Sequence, residues 1–151
     1  GTKYENPTKL SATEWLDVFI DQQGQILRGV QKSGYWLIDV ARAGEYEIEL
    51  RRWPKESEGT INGTLPDGTG NALPITQAML YLSGHNHLEI AQKRSYRFEG
   101  LTKPVREGDK AITFTMNLKK GPTALHTWFQ GRNNTMLSAY YVYLNRKKDS
   151  K

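Results

Sequence analysis

From Trp36 to Val40, Trp36, Ile38 and Val40 fall on one parity. From Glu45 to Arg51, Tyr46, Ile48 and Leu50 do the same, with Glu45, Glu47, Glu49 and Arg51 between them. A period of two turns one set to a buried face and the other to water, which is a half-buried antiparallel strand. Ala43-Gly44 separates the two runs, and glycine supplies the backbone freedom a tight reversal needs. The pair is therefore expected to be a β-hairpin with one apolar face. Pro54 has no N–H to give a ladder, so the second strand should stop near Trp53.

The rest of the chain is read the same way. Ser11 with Glu14 three positions on fits a capping box and a brief helical turn through Trp15. Asp21 to Gly24 reads as a loop, and Gln25 to Val30 as a short strand. Pro54 to Leu73 carries prolines at 54 and 66 and glycines at 59, 63, 68 and 70, a composition that predicts a long surface loop with a Pro66-Asp67-Gly68 turn. Ala78 to Ser83 is a strand with Ala78, Leu80 and Leu82 against Met79 and Tyr81. His85 to Phe98 is weakly patterned, a short strand and its return. Ile112, Phe114, Met116 and Leu118 alternate cleanly with Ala111, Thr113, Thr115 and Asn117. Gly121-Pro122 is expected to turn, and in Thr123 to Gln130 Leu125 and Phe129 oppose His126 and Trp128. After a turn at Gly131 to Thr135, a last strand runs from Ala139 to Arg146, with Tyr140, Val142 and Leu144 opposing Tyr141 and Tyr143.

Short strands with turns between them, and no long run of period 3.6, predict an all-β antiparallel sandwich with a jelly-roll-like order. With 151 residues and 37% hydrophobic content, the whole chain is expected to form a single domain. The absence of cysteine removes disulfides and thiolate chemistry. No apolar run approaches the ~20 residues of a membrane helix. A net charge of +5 spread along the chain lacks the concentrated stripe that nucleic acid would require. Neither membrane nor nucleic acid is an expected partner. Gly1 in place of Met is expected to be a tag remnant on an excised domain, so the missing signal peptide leaves secretion of a parent protein open.

A resemblance covers nearly the whole chain, from about Asn6 to Arg146. GYWLIDVARAGEYEIELRRWPKE, preceded by NPTKLSATEW and followed by GNALPITQAMLYL, PVREGDKAITFTMNLKKGPTALHTWF and AYYVYLNR, resembles the C-terminal region of secreted bacterial arylsulfatases. The resemblance implies an accessory domain whose partner is a sulfatase catalytic domain in the same polypeptide, in the periplasm or outside the cell. It does not imply catalysis here. Sulfatases mature a Cys or Ser in a Cys/Ser-x-Pro-x-Arg setting, and no serine of this chain is followed two residues later by proline.

Other chemistry finds no better support. His85-x-His87 has the spacing of two metal ligands on a strand, but no third ligand can be named and Gly84 and Asn86 favour a turn. Glu45, Glu47 and Glu49 read as the wet face of a strand rather than a glycosidase pair. Gly68-Thr69-Gly70-Asn71 lacks the lysine and helix of a phosphate loop. No catalytic residue, metal or cofactor is expected.

What remains is aromatic: four Trp and eight Tyr in a small β domain. If the last two strands pair across Gly131 to Thr135, Trp128, Tyr141 and Tyr143 become cross-strand neighbours on the outer face, joined by His126. Such a cluster needs a cover. The candidates are the parent's catalytic domain, a loop or second core within this chain, and a carbohydrate stacking on the rings. Arg51, Arg52 and Trp53 form a second candidate set, two anion donors beside an aromatic ring; the alternative is a strand end with solvated arginines. With no nucleophile, the isolated chain is expected to leave an aryl sulfate at its buffer hydrolysis rate. Turnover that survives repurification would refute this.

Overall fold

The computed structural model describes residues 6–16, 23–83 and 101–149. Nine strands are found among these: β1 (Thr8–Ser11), β2 (Tyr35–Val40), β3 (Gly44–Arg51), β4 (Ile75–Ser83), β5 (Leu101–Pro104), β6 (Ile112–Leu118), β7 (Gly121–Gly131), β8 (Met136–Leu137) and β9 (Tyr141–Arg146). The first sheet has the order β1-β9-β3-β6. The second has the order β2-β7-β4-β5, with β8 also bonded to β7, and every pairing is antiparallel. The chain is an all-β sandwich.

Alternation places the faces as expected. Trp36 and Val40 of β2, Ala78 and Leu80 of β4, and Leu125 and Phe129 of β7 are buried from the second sheet. Tyr46, Ile48 and Leu50 of β3, Ile112, Phe114 and Leu118 of β6, and Val142 and Leu144 of β9 meet them from the first. The interior between the sheets is one continuous apolar cluster.

The partners of several strands differ from expectation. β2 and β3 form no hairpin: β2 pairs with β7 and β3 with β6 and β9, so Ala41–Ala43 is a corner that carries the chain from one sheet to the other. Both strands still bury their apolar parity, because each faces the other sheet. The corner is held by Tyr46, whose hydroxyl donates to the Arg42 carbonyl at 2.8 Å, and by Arg146, which donates to the Ala43 carbonyl at 3.2 and 3.3 Å. Gly121-Pro122 is likewise no turn; it opens β7 after another change of sheet.

The second hairpin also closes differently. The turn after Gly131 is present, with Asn133 and Asn134 both at positive φ and Thr135 N donating to Arg132 O at 3.1 Å. It returns the chain into β8, not into the last strand. β9 then crosses to the first sheet, between β1 and β3.

Two further segments differ. Gln23–Arg28 is a short helix, α1, where a strand was expected from Gln25. Gly29 at φ +68 ends it: its N–H donates to Ile26 O at 3.1 Å while Val30 N donates to Gln25 O at 3.2 Å, the paired bonds of a Schellman cap. A helix of fewer than two turns is too short to show a 3.6 period, and only Gly29 signals it. The capping turn at Ala12–Glu14 is as read, with Glu14 accepting from the Ser11 backbone N–H at 2.8 Å. The expected weak strands of His85 to Phe98, and the His85-x-His87 pair, lie outside the described residues.

Residues 54–74 turn at Leu65–Gly68 as expected, but this loop also enters the core, with Ile61 fully buried. It is tied to Asp109 through Ile61 N, to Leu27 through Asn71 N and to itself through Leu73 N and Asn62 O. At the far end of the chain, the Asn6 side chain brackets Arg146, accepting from its N–H at 2.9 Å and donating to its carbonyl at 3.1 Å.

Ile48→Ala or Leu50→Ala should cost about 2–5 kcal/mol in urea unfolding, the range for truncating a buried aliphatic side chain. Glu47→Ala, on the wet face of the same strand, should cost less than about 0.5 kcal/mol. Equal losses at Ile48 and Glu47 would contradict the assignment of faces.

Candidate functional site

The seven candidate residues fall into three separate places. Trp128 and His126 stand on β7, in the second sheet, on the parity turned away from the core. Tyr141 and Tyr143 stand on the outer parity of β9 in the first sheet, with Arg51 opposite Tyr141 on β3. Arg52 and Trp53 follow β3 and turn inward. The expected cluster of Trp128, His126, Tyr141 and Tyr143 on one face therefore does not form. It required β7 and β9 to be neighbours, and β8 takes that place.

Arg52 and Trp53 are parts of the core. Arg52 is 0% exposed and donates to the carbonyls of Ile61 (3.4 Å), Gly63 (3.2 Å) and Asn71, with its guanidinium carbon 4.5 Å from the centre of the Trp53 ring. Trp53 donates from Nε1 to Thr60 O at 2.9 Å. Burial pulls the Arg52 guanidinium down to about 10, with Tyr140 opposing the shift, so it stays cationic at neutral pH. A buried cation without a carboxylate partner among the described residues is tolerable only because carbonyl oxygens enclose it. Arg51 takes the other parity and pairs with Glu49. The two arginines point to opposite sides of β3 and cannot clamp one anion.

Tyr143 is covered by the start of the 54–74 loop. Its hydroxyl accepts from Lys55 N at 3.1 Å, and the Lys55 ammonium lies 4.6 Å from its ring centre. Lys9 stands 5.4 Å from the centre of the Tyr141 ring. The Tyr141 phenol is raised above its usual value chiefly by burial, then by Tyr143 and Glu56. For these two tyrosines the cover is within the chain, and their face is otherwise ionic. Glu49 also meets Lys55 at 3.4 Å, and Lys147 reaches Glu45 and Glu47 at 3.2 and 3.3 Å.

The outer face of the second sheet is of another kind. His126 lies opposite Tyr35 on β2 and Tyr81 on β4, and Trp128 opposite Met79. Tyr35 stacks on His126 (centroids 5.1 Å, planes 19° apart), and His126 on Trp128 (5.6 Å, 12°), while Tyr81 leans on the same imidazole at 5.9 Å. Tyr35 and His126 are each only 4% exposed, although they face away from the core. Leu37 projects beside them at 42% exposure, and by register Leu16 and Met136, both exposed, extend the same face. Among the described strand positions this face carries one charge, Asp39. No motif marks Tyr35 and Tyr81, yet parity holds the signal: Tyr35 alternates with buried Trp36, and Tyr81 with buried Leu80 and half-buried Leu82.

No three His, Cys, Asp or Glu side chains group as metal ligands among the described residues, and no described helix is long and apolar enough to cross a membrane. No protein-family model matches the chain. No curated protein matches it either. Among solved structures, a ruminal GH26 endo-β-1,4-mannanase is similar over 96% of this chain and 27% of that one, at 9% identity and a TM-score of 0.50. A CBM35 from Cellvibrio japonicus Abf62 is similar over 80% of this chain and 70% of that one, at 12% identity and a TM-score of 0.40. The chain spans little more than a quarter of the mannanase's length. At such identity the likeness to the mannanase concerns the fold alone.

Arg52→Ala should lower unfolding stability by about 3 kcal/mol or more, since several bonds to a charged donor are lost and their carbonyls stay buried. Arg52→Lys should fall between, because one ammonium cannot reproduce the planar fork. Arg51→Ala should cost under about 1 kcal/mol, as for a peripheral ion pair. A larger loss at Arg51 than at Arg52 in urea titrations would reverse these assignments.

Proposed function

We propose that this chain is a non-catalytic accessory β-sandwich of a larger secreted or periplasmic enzyme that acts on carbohydrate sulfates, held against its catalytic domain by the outer face of the second sheet. The observation that carries the reading is the contrast between the two outer faces. The face of the first sheet is laced with ion pairs and suited to water. That of the second exposes Leu16, Leu37 and Met136, with half-buried Tyr81 and Trp128 around the buried Tyr35 and His126 and a single charge among the described strand positions, a composition of the kind found in protein contacts. Stacking within Tyr35–His126–Trp128 uses ring faces against each other, which leaves fewer of them for a sugar and favours a protein partner. The resemblance to arylsulfatase C-terminal regions supplies the identity of that partner.

A second reading, a carbohydrate-binding module, rests on Trp128, a half-buried ring on that outer face. Trp128→Ala separates the two. The isolated domain should remain folded by circular dichroism, because the ring is outside the core between the sheets. In the full-length enzyme the variant should lower the unfolding temperature of the junction while leaving retention on sulfated polysaccharide unchanged. Weaker retention with an intact junction would replace the proposal by the module reading. Outright unfolding of the isolated domain would remove both.

A further inference from the structure

β1 and β2 are edge strands of the two sheets, and a cleft of about 260 Å³ opens at that side of the sandwich. Leu10, Ile38, Val40, Tyr46, Leu118 and Leu144 line its apolar wall, and Leu37 and Asp39 border it. The polar groups beside it can be assigned. Leu16 N donates to Tyr35 O at 2.8 Å from outside the sheet, so Tyr35 directs its backbone groups to the free edge. Along an antiparallel strand that direction alternates, which puts the N–H and C=O of Leu37 and Asp39 on the same free edge and those of Trp36, Ile38 and Val40 toward β7. Pro122 stands opposite Asp39, where its missing N–H costs the β2–β7 ladder nothing.

Other edge positions are blunted. Leu16 closes β2 at Tyr35, the Trp36 indole donates to Ser11 O of β1 at 2.9 Å, and the Lys103 ammonium donates to Thr113 O of β6 at 2.5 Å. Among the described residues, Leu37 and Asp39 have no such closure, and the Asp39 carboxylate has no ion-pair partner.

We propose that this edge accepts an extended peptide segment of a partner protein. The segment pairs with β2 at Leu37 and Asp39, seats one aliphatic side chain in the cleft and sets a lysine or arginine beside the Asp39 carboxylate. Charge favours such a partner over a second copy of this chain, because antiparallel β2–β2 pairing sets Leu37 or another Asp39 opposite Asp39 and supplies no cation. The inference uses the backbone edge of β2, although the side chains of Leu37 and Asp39 also border the outer face of the second sheet.

The probes are two end-blocked peptides, Thr-Val-Lys-Val-Thr and Thr-Val-Glu-Val-Thr, titrated into isotopically labelled protein with backbone amide signals and their hydrogen exchange as the readout. The lysine peptide is expected to shift and protect the Leu37 and Asp39 amides, and the glutamate peptide to bind about two- to fivefold more weakly, as an exposed ion pair allows. Asp39→Lys should invert that preference. Leu37→Pro removes an edge N–H without touching the β2–β7 ladder and should abolish binding with the melting curve retained. Shifts centred on another strand, no shift with either peptide, or a preference unchanged by Asp39→Lys would overturn the proposal. So would cleft binding without amide protection, which marks a small-molecule pocket. Sedimentation showing a dimer that Leu37→Pro dissolves would assign the edge to self-association instead.

Discussion

Three carbonyl oxygens around the Arg52 guanidinium hold together the least regular part of the molecule. The 54–74 segment has too many glycines and prolines to fold through its own ladder, and a cation at the end of β3 gives it a fixed centre. The Trp53 ring, Ile61 and Leu73 are drawn into the core around it. Gly29 lies against the same guanidinium, and Asn71 reaches back to Leu27 and Arg28. One side chain thereby joins β3, the long loop and α1 at one end of the sandwich. The arrangement is demanding, because a buried guanidinium depends on its acceptors, and here the two terminal nitrogens reach carbonyls while the buried Nε has no partner.

Parity was legible from the sequence and pairing was not, for a physical reason. Which side of a strand is apolar is written every second residue, so Ile48, Leu50, Phe114, Leu125, Phe129, Val142 and Leu144 could be placed inward from alternation alone. Which strand lies next to it depends on hydrogen bonds between backbones that all chains share. Ala41–Ala43 has the length of a hairpin loop and serves as a corner between sheets. Trp128 and Tyr141 have equivalent patterns and face away from the core on different sheets. The three places taken by the candidate residues follow from that one ambiguity, together with Arg52, whose charge argues for solvent until its carbonyl partners are known.

The two outer faces divide the surface by chemistry. On the first sheet, Glu45, Glu47 and Glu49 are matched by Lys147, Lys55 and Arg51, and the tyrosines among them are capped by lysines. On the second, rings stack on rings around an imidazole. A sandwich needs only its inner faces to be apolar to be stable. Apolar outer residues concentrated on one sheet are thus not demanded by the fold, and their placement carries functional information that the interior does not.

Asn6 and Arg146 are bonded to each other through both the N–H and the carbonyl of Arg146, beside the corner that Arg146 also clasps. Polypeptide attached before the first strand and after the last would leave from the same point on the surface. A unit built this way can be spliced into a surface loop of a host protein without spreading the ends of that loop, or can hang from a single stalk.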